Sequence, residues 1–219
     1  GEYALGGASP AIDIEDAAWG PCPDGSGCLF FGDIGDNNLV RSGYVIYRLP
    51  EASLAEPDAG APPKVSVPVE AFPFVYPDGP HNCESLLVHP VSRRVYVITK
   101  VRQGASGVYR LPADAQPGTQ TTLEKVAEIT SPDVANPEVT AADFHPTGDR
   151  VLLRTYVGVF ELRAPVAGGP VDDLWAQRWL RLPTPLEPQG EAVAYQPDGL
   201  GFLTLSEGLH PTPFQVGCK

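Results

Sequence analysis

The stretch that decides the fold is "ESLLVHPVSRRVYVITK", Glu84 to Lys100. It reads as a strand, a turn after Pro90, and a second strand rich in Val, Tyr and Ile. The same succession occurs three more times. "EDAAWGP" ends at Pro21, "TAADFHP" at Pro146 and "EAVAYQP" at Pro197. Each is followed by a turn (PDGSG, TGDR, DGLG) and another strand. The second strands end in "GD" at Asp33, "TK" at Lys100, "TY" at Tyr156 and "SE" at Glu207. His89 and His145, each before its proline, read as structural turn residues.

A third strand ends in "YRLP" in the first two repeats, Tyr47–Pro50 and Tyr109–Pro112, and "VFELR" takes its place in the third. Outer strands are expected in "KVSVPVEAF", "TLEKVAEIT" and "QRWLRLP". The last repeat lacks one, and "EYALGG" at the N-terminus is expected to supply it and close a ring. No segment holds a helical period over three turns; "DDLWAQRWLRL" comes nearest. The prolines recur at roughly fifty to seventy residues, close to the blade repeat of a propeller with loop insertions. The expected fold is therefore all-β: a single β-propeller domain of four-stranded antiparallel blades. Its four repeats span approximately 11–75, 80–131, 137–183 and 188–219. A β-sandwich also explains short strands, but not an in-phase repeat.

The chain has 219 residues and a formal net charge of −12. Such a surface repels phosphate backbones, so no nucleic acid is expected as partner. A cation or a cationic ligand suits it better. No apolar run approaches the roughly 18 residues of a membrane span. A chain that opens on "GEYALGG", with no methionine anywhere, is expected to be a processed product or a fragment.

Four cysteines are present, Cys22, Cys28, Cys83 and Cys218, and none shows C-x-x-C spacing. "CPDGSGC" turns back on itself and favours a local Cys22–Cys28 bond; three connectivities remain open. If that bond forms, Cys83 is left with Cys218, which would bring the tail beside Glu84. Disulfides would imply an oxidising, extracellular or periplasmic location.

In a propeller, the start of the first strand and the end of the second lie at one mouth of the central channel. Strand starts supply Glu15, Glu84, Thr140 and Glu191; strand ends supply Asp33, Lys100, Tyr156 and Glu207. Asp143 lies within its first strand, Arg154 two residues before Tyr156, and nearby loops add Asp36, Asn37 and His81. Carboxylates gathered in this way repel one another unless paired, protonated or metal-bound. Hard oxygen donors with one nearby histidine suit Ca²⁺. The metal ligands expected are Glu15, Asp33, Asp36, Glu84, Glu191 and Glu207. The ligand contacts expected are Asn37, His81, Lys100, Asp143, Arg154 and Tyr156. A blander reading makes "GDIGDN" a turn whose Asp and Asn bond their own backbone, and the glutamates the wall of a solvated pore.

"DIEDAAWGP…LFFGDIGDN", "YPDGPHNCESLLVHPVSRRVYVITK", "VTAADFHPTGDRVLLRTY" and "QGEAVAYQPDG…SEG" resemble a family of exported bacterial β-propeller proteins with no assigned activity. The resemblance covers nearly the whole chain. Members carry a further blade upstream, with a strand ending in "HNDSG", which this chain lacks. The resemblance thus implies either a ring of fewer blades or a missing N-terminal blade. It also implies that a Cys83–Cys218 bond is particular to this chain, because Ala stands at that place in the family. "ESLLVHP…VYVITK…GVYRL" and "EAVAY…DG…SEG" are more distantly similar to β-propeller phytases, whose acidic centres hold several Ca²⁺ ions.

The expected function is binding of a small-molecule or protein ligand at an acidic, Ca²⁺-occupied mouth, by a monomer. The alternative is a Ca²⁺-dependent phosphoester hydrolase of phytase type. Ser85 and Ser206 neighbour glutamates, but no Ser–His–acid order stands out.

Overall fold

The computed structural model describes residues 2–6, 11–51, 64–130 and 137–217. Strand β1 (Glu2–Gly6) stands outside the repeat. Strands β2 (Ile14–Pro21), β3 (Gly27–Asp33) and β4 (Tyr44–Pro50) form an antiparallel meander. Strand β5 (Lys64–Pro68) leaves that sheet, and β6 (Glu70–Val75) completes it. The second sheet holds β7 (Cys83–Val88), β8 (Val95–Thr99) and β9 (Ser106–Arg110). After the short β10 (Thr121–Thr122), β11 (Glu124–Ile129) closes it. The third is β12 (Val139–Phe144), β13 (Arg150–Thr155), β14 (Gly158–Arg163) and β15 (Leu180–Leu182). The fourth is β16 (Gly190–Tyr195), β17 (Gly201–Ser206) and β18 (Phe214–Gly217).

These sheets are the four blades of a β-propeller. Their inner strands β2, β7, β12 and β16 adjoin in that order. Strands such as "VYVIT" and "VLLRT" show no alternation of buried and exposed residues because a middle blade is buried on both faces. Alternate residues of β7 and β8 serve different neighbours. Leu86, Val88 and Val97 pack with Phe30, Ile46 and Phe72 of the first blade. Leu87, Tyr96 and Ile98 pack with Phe144, Val151 and Leu153 of the third. A third core joins Leu152 and Val159 to Val193, Tyr195 and Phe202. Each such side chain contributes about 1.5–3 kcal/mol on full burial. Among the described residues no equivalent core joins the fourth blade to the first, and Trp19 and Leu203 stay exposed.

The expected role of "EYALGG" needs correction. Strand β1 pairs in parallel with β5, from Glu2 opposite Lys64 to Gly6 opposite Pro68. The cause lies in "KVSVPVEAF". Pro68 has no N–H with which to extend a ladder, so the segment splits there. Its first half takes β1 as partner, and its second half, β6, pairs with β4. The short β10 also crosses over, pairing in parallel with β6 of the first blade. "DDLWAQRWLRL" becomes a six-residue 3-10 helix, Val171–Ala176, and strand β15.

Turns repeat as well. His89 Nε2 donates to the Gly148 carbonyl in the next blade's turn (3.0 Å), while its Nδ1 accepts from the Ser92 N–H (2.9 Å). His145 does the same one blade on, toward the Gly199 carbonyl. Both glycines have positive φ, 78° and 70°, and a Cβ on either would stand 2.4 Å from the histidine ring. Cys22 and Cys28 form the expected disulfide, Cα atoms 5.1 Å apart. Cys83 is a buried free thiol that donates to the Ile98 carbonyl (3.0 Å). Its expected partner, Cys218, lies outside the described residues.

Candidate functional site

Every inner strand breaks register at the equivalent place. The breaks fall between Ile14 and Asp16, Cys83 and Ser85, Val139 and Ala141, and Gly190 and Ala192. The residues left without a ladder partner are Glu15, Glu84, Thr140 and Glu191. A bulge re-aims a side chain that regular pleating would fix. The four strand-start residues therefore share one local geometry at the channel mouth.

From there a hydrogen-bonded chain crosses three blades. Lys100, just past β8, places Nζ 2.7 and 2.6 Å from the two Glu84 oxygens. It also donates to the Tyr156 hydroxyl (2.6 Å), which donates in turn to Glu191 (2.8 Å). Gln189 links Glu191 to Glu207. Burial disfavours the Lys100 charge, but its bonds to Glu84 and Tyr156 outweigh this and raise its pKa above the usual lysine range. Thr140 turns away and donates to the Gly190 carbonyl (2.7 Å).

Glu15 has a different environment. Partial burial, then the charges of Glu84 and Asp13, push its carboxyl up to about 7. Asp13 also hydrogen-bonds it. Both acids lie over Gly35, where a Cβ would come within 2.3 Å of Asp13 and 2.5 Å of Glu15. This explains the second glycine of "GDIGDN": it leaves room for two carboxyls.

The aspartates of that motif serve the chain itself. Asp33 accepts from the Ile12 and Asp13 N–H groups (3.1 and 2.9 Å) and pairs with Arg41 (2.9 Å). Asp36 accepts from the N–H groups of Val40 and Arg41 and from the Tyr44 hydroxyl, each at 2.9 Å. Burial would raise the Asp36 pKa; these donors overcome it and hold it below the usual value. Asn37 accepts from Asn82 (3.2 Å), whose side-chain oxygen in turn accepts from the Asp36 N–H. The motif is thus a pinned turn beside the mouth.

The remaining expected residues lie elsewhere. His81 joins a separate cluster with Asp78 (2.9 Å) and Tyr109 (3.0 Å), completed by Lys125 on Asp78. Arg154 is sealed beneath the mouth, paired with an equally buried Glu187 at 2.9 Å. It lies over Gly190, where a Cβ would be 1.7 Å from its Nη2. Asp143 faces the channel deeper in and accepts from the Tyr195 N–H of the next blade (2.8 Å). Burial pushes it up to about 7. Asp16 accepts in the same manner from Leu86 of its own next blade (2.7 Å). An inner strand is a sheet edge, and these carboxyls satisfy its free N–H groups.

Sequence reasoning missed Asp13, Asp16, Gln189 and Glu187. Asp16 adjoins Glu15 and Gln189 lies two residues before Glu191, so proximity to a ring position was the available signal. Among the described residues, no group of three or more His, Cys, Asp or Glu side chains is gathered to hold a metal ion.

No protein-family model matches the chain, and no curated protein matches it in sequence. Solved structures similar to it include the periplasmic gluconolactonase PpgL of Pseudomonas aeruginosa. That match has 12% identity and a TM-score of 0.49, over 91% of this chain and 56% of the other. The hydrazine synthase of Kuenenia stuttgartiensis matches at 13% identity and a TM-score of 0.46, over 98% and 49%. The Dos1 propeller matches at 12% and 0.40, over 88% and 54%. The chain spans about half the length of these structures. The propeller assignment rests on the sheets described above, and these distant likenesses lend no activity to it.

Proposed function

We propose that the chain is an exported binding module whose acidic mouth takes up a small cationic ligand, with Ca²⁺ the first candidate. The observation that carries this reading is the crowding of Glu15 with Asp13 and Glu84. Lys100 is already committed to Glu84 and Tyr156, and its charge only partly offsets the burial and the Glu84 and Asp13 charges that push Glu15 up to about 7. An arriving cation would replace the Glu15 proton and draw Glu15 together with Asp13 and Glu84, with Glu191 and Glu207 beside them. The disulfide supports an oxidising location, and no helix among the described residues is long and apolar enough to cross a membrane.

The phosphoester-hydrolase reading is not favoured. Lys100 is engaged, Arg154 is enclosed with Glu187, and the mouth would offer an incoming phosphate mainly carboxylates.

Calorimetric titration with CaCl₂ at pH 7, in two buffers of different ionisation enthalpy, tests the reading. Saturable binding with proton release is expected, and Glu15→Gln should abolish the release. At a hundredfold excess over Kd the folded state should gain about 2.7 kcal/mol. A melting temperature unmoved by Ca²⁺ and by chelator would overturn the metal, and the same result with small organic cations would overturn the site.

A further inference from the structure

The opposite end of the channel holds a cavity of about 770 Å³. The four repeat prolines, Pro21, Pro90, Pro146 and Pro197, all line it. So do the residues two places before each of them: Trp19, Val88, Phe144 and Tyr195. The sequence motif that defines the repeat is therefore also the wall of this chamber. Its size and apolar lining suit a small organic molecule.

Two features give it chemistry. Asp143 and Glu51 line it, and no lysine or arginine does so among the described residues. Asp143 is engaged by the backbone N–H groups of Tyr195 and Phe144. A carboxylate offers about four acceptor positions, so capacity remains for a donor arriving through the cavity. Trp19 is the second feature. The residue is 54% exposed, and its indole N–H is fixed by Glu51 at 2.9 Å. A large aromatic face held open beside carboxyls attracts organic cations through its ring quadrupole and its apolar area.

We propose that this cavity is a second binding site, for a small organic cation with an apolar body. The cationic head meets Asp143, and the body packs between Trp19 and the apolar wall. The near-neutral titration of Asp143 fits this role, because a bound cation stabilises its ionised form. The cavity lining includes none of the mouth glutamates, although Asp16 lies within electrostatic reach of both Asp143 and Glu15.

The test titrates the intact folded chain with phenethylammonium, neutral phenethyl alcohol and phenylpropionate, followed by tryptophan fluorescence and calorimetry. The ammonium compound is expected to bind at least tenfold tighter than the alcohol, and the carboxylate not at all. Asp143→Asn keeps an acceptor for the Tyr195 N–H and should erase the preference for the cation. Trp19→Ala, at an exposed site, should weaken both the ammonium compound and the alcohol several-fold. Equal binding of ammonium and alcohol would overturn the proposal, as would no saturable binding or an Asp143→Asn protein with unchanged preference. Displacement of the ammonium compound by Ca²⁺ would assign it to the mouth and overturn it too.

Discussion

Lys100 reaches both oxygens of Glu84, at 2.7 and 2.6 Å, from the end of the strand paired with the one that Glu84 opens. The pair is almost enclosed, with side-chain exposures of 13% and 7%. Removing one member of such a pair leaves a charge without compensation. Lys100→Met should therefore destabilise the fold by about 3 kcal/mol at pH 8. Burial, its first cause, already raises the Glu84 pKa, and loss of the lysine raises it further. Protonation then relieves the variant, so urea denaturation at pH 5 should show a clearly smaller deficit. An equal deficit at both values would contradict the pairing.

Glu15 and Asp143, both held up at about 7, make stability depend on pH. In each, the folded state binds its proton more tightly than the unfolded chain does. Their contribution is complete below the unfolded values of roughly 4 and is lost as pH rises toward 7. Asp78 works in the opposite sense. Burial would raise it, but its bonds to His81, Lys125 and Tyr109 lower it to about 2, so its contribution is lost below pH 4. Melting temperatures should peak between roughly pH 4 and 6 and fall toward pH 8. Glu15→Gln should flatten the upper limb.

The His89–Gly148 contact should matter to folding and not to the mouth. His89→Ala removes a buried bond between blades and is expected to cost about 1–3 kcal/mol. Gly148→Ala should do at least as much damage, because of its φ of 78° and the 2.4 Å approach to the ring. Cation binding by either folded variant should match the unmodified chain in calorimetry.

Non-reduced peptide mapping should recover Cys22 joined to Cys28. Opening that short loop should cost about 2 kcal/mol in the chain-entropy model. Cys83 is enclosed, and burial, the largest cause, pushes its thiol up to about 12. It should resist iodoacetamide in the native protein and react once denaturant is added.

The blade repeat was legible because the prolines and apolar runs stay in phase through all four units. The equivalence of the strand-start positions Glu15, Glu84, Thr140 and Glu191 was legible for the same reason. What sequence could not convey was which oxygens were already in use. Asp33 and Asp36 look like ligands in "GDIGDN", yet backbone N–H groups take up their oxygens. Arg154 sits two residues from Tyr156, and strand alternation by itself does not separate a mouth residue from one sealed against Glu187. The fate of "EYALGG" depended on Pro68, a single imino acid sixty residues away.

The recurring bulge has a consequence for how this mouth changes over time. Glu15, Glu84, Thr140 and Glu191 have no partner in any ladder, so their identity is uncoupled from strand register. Thr140 already shows the latitude: one blade contributes a hydroxyl where the others contribute an acid, and its sheet is unaltered. The mouth thus carries four positions outside the ladders, joined to one another only through side chains such as Lys100 and Tyr156. Changing such a residue need not shift strand register, but at Glu84 it would also leave Lys100 without its partner.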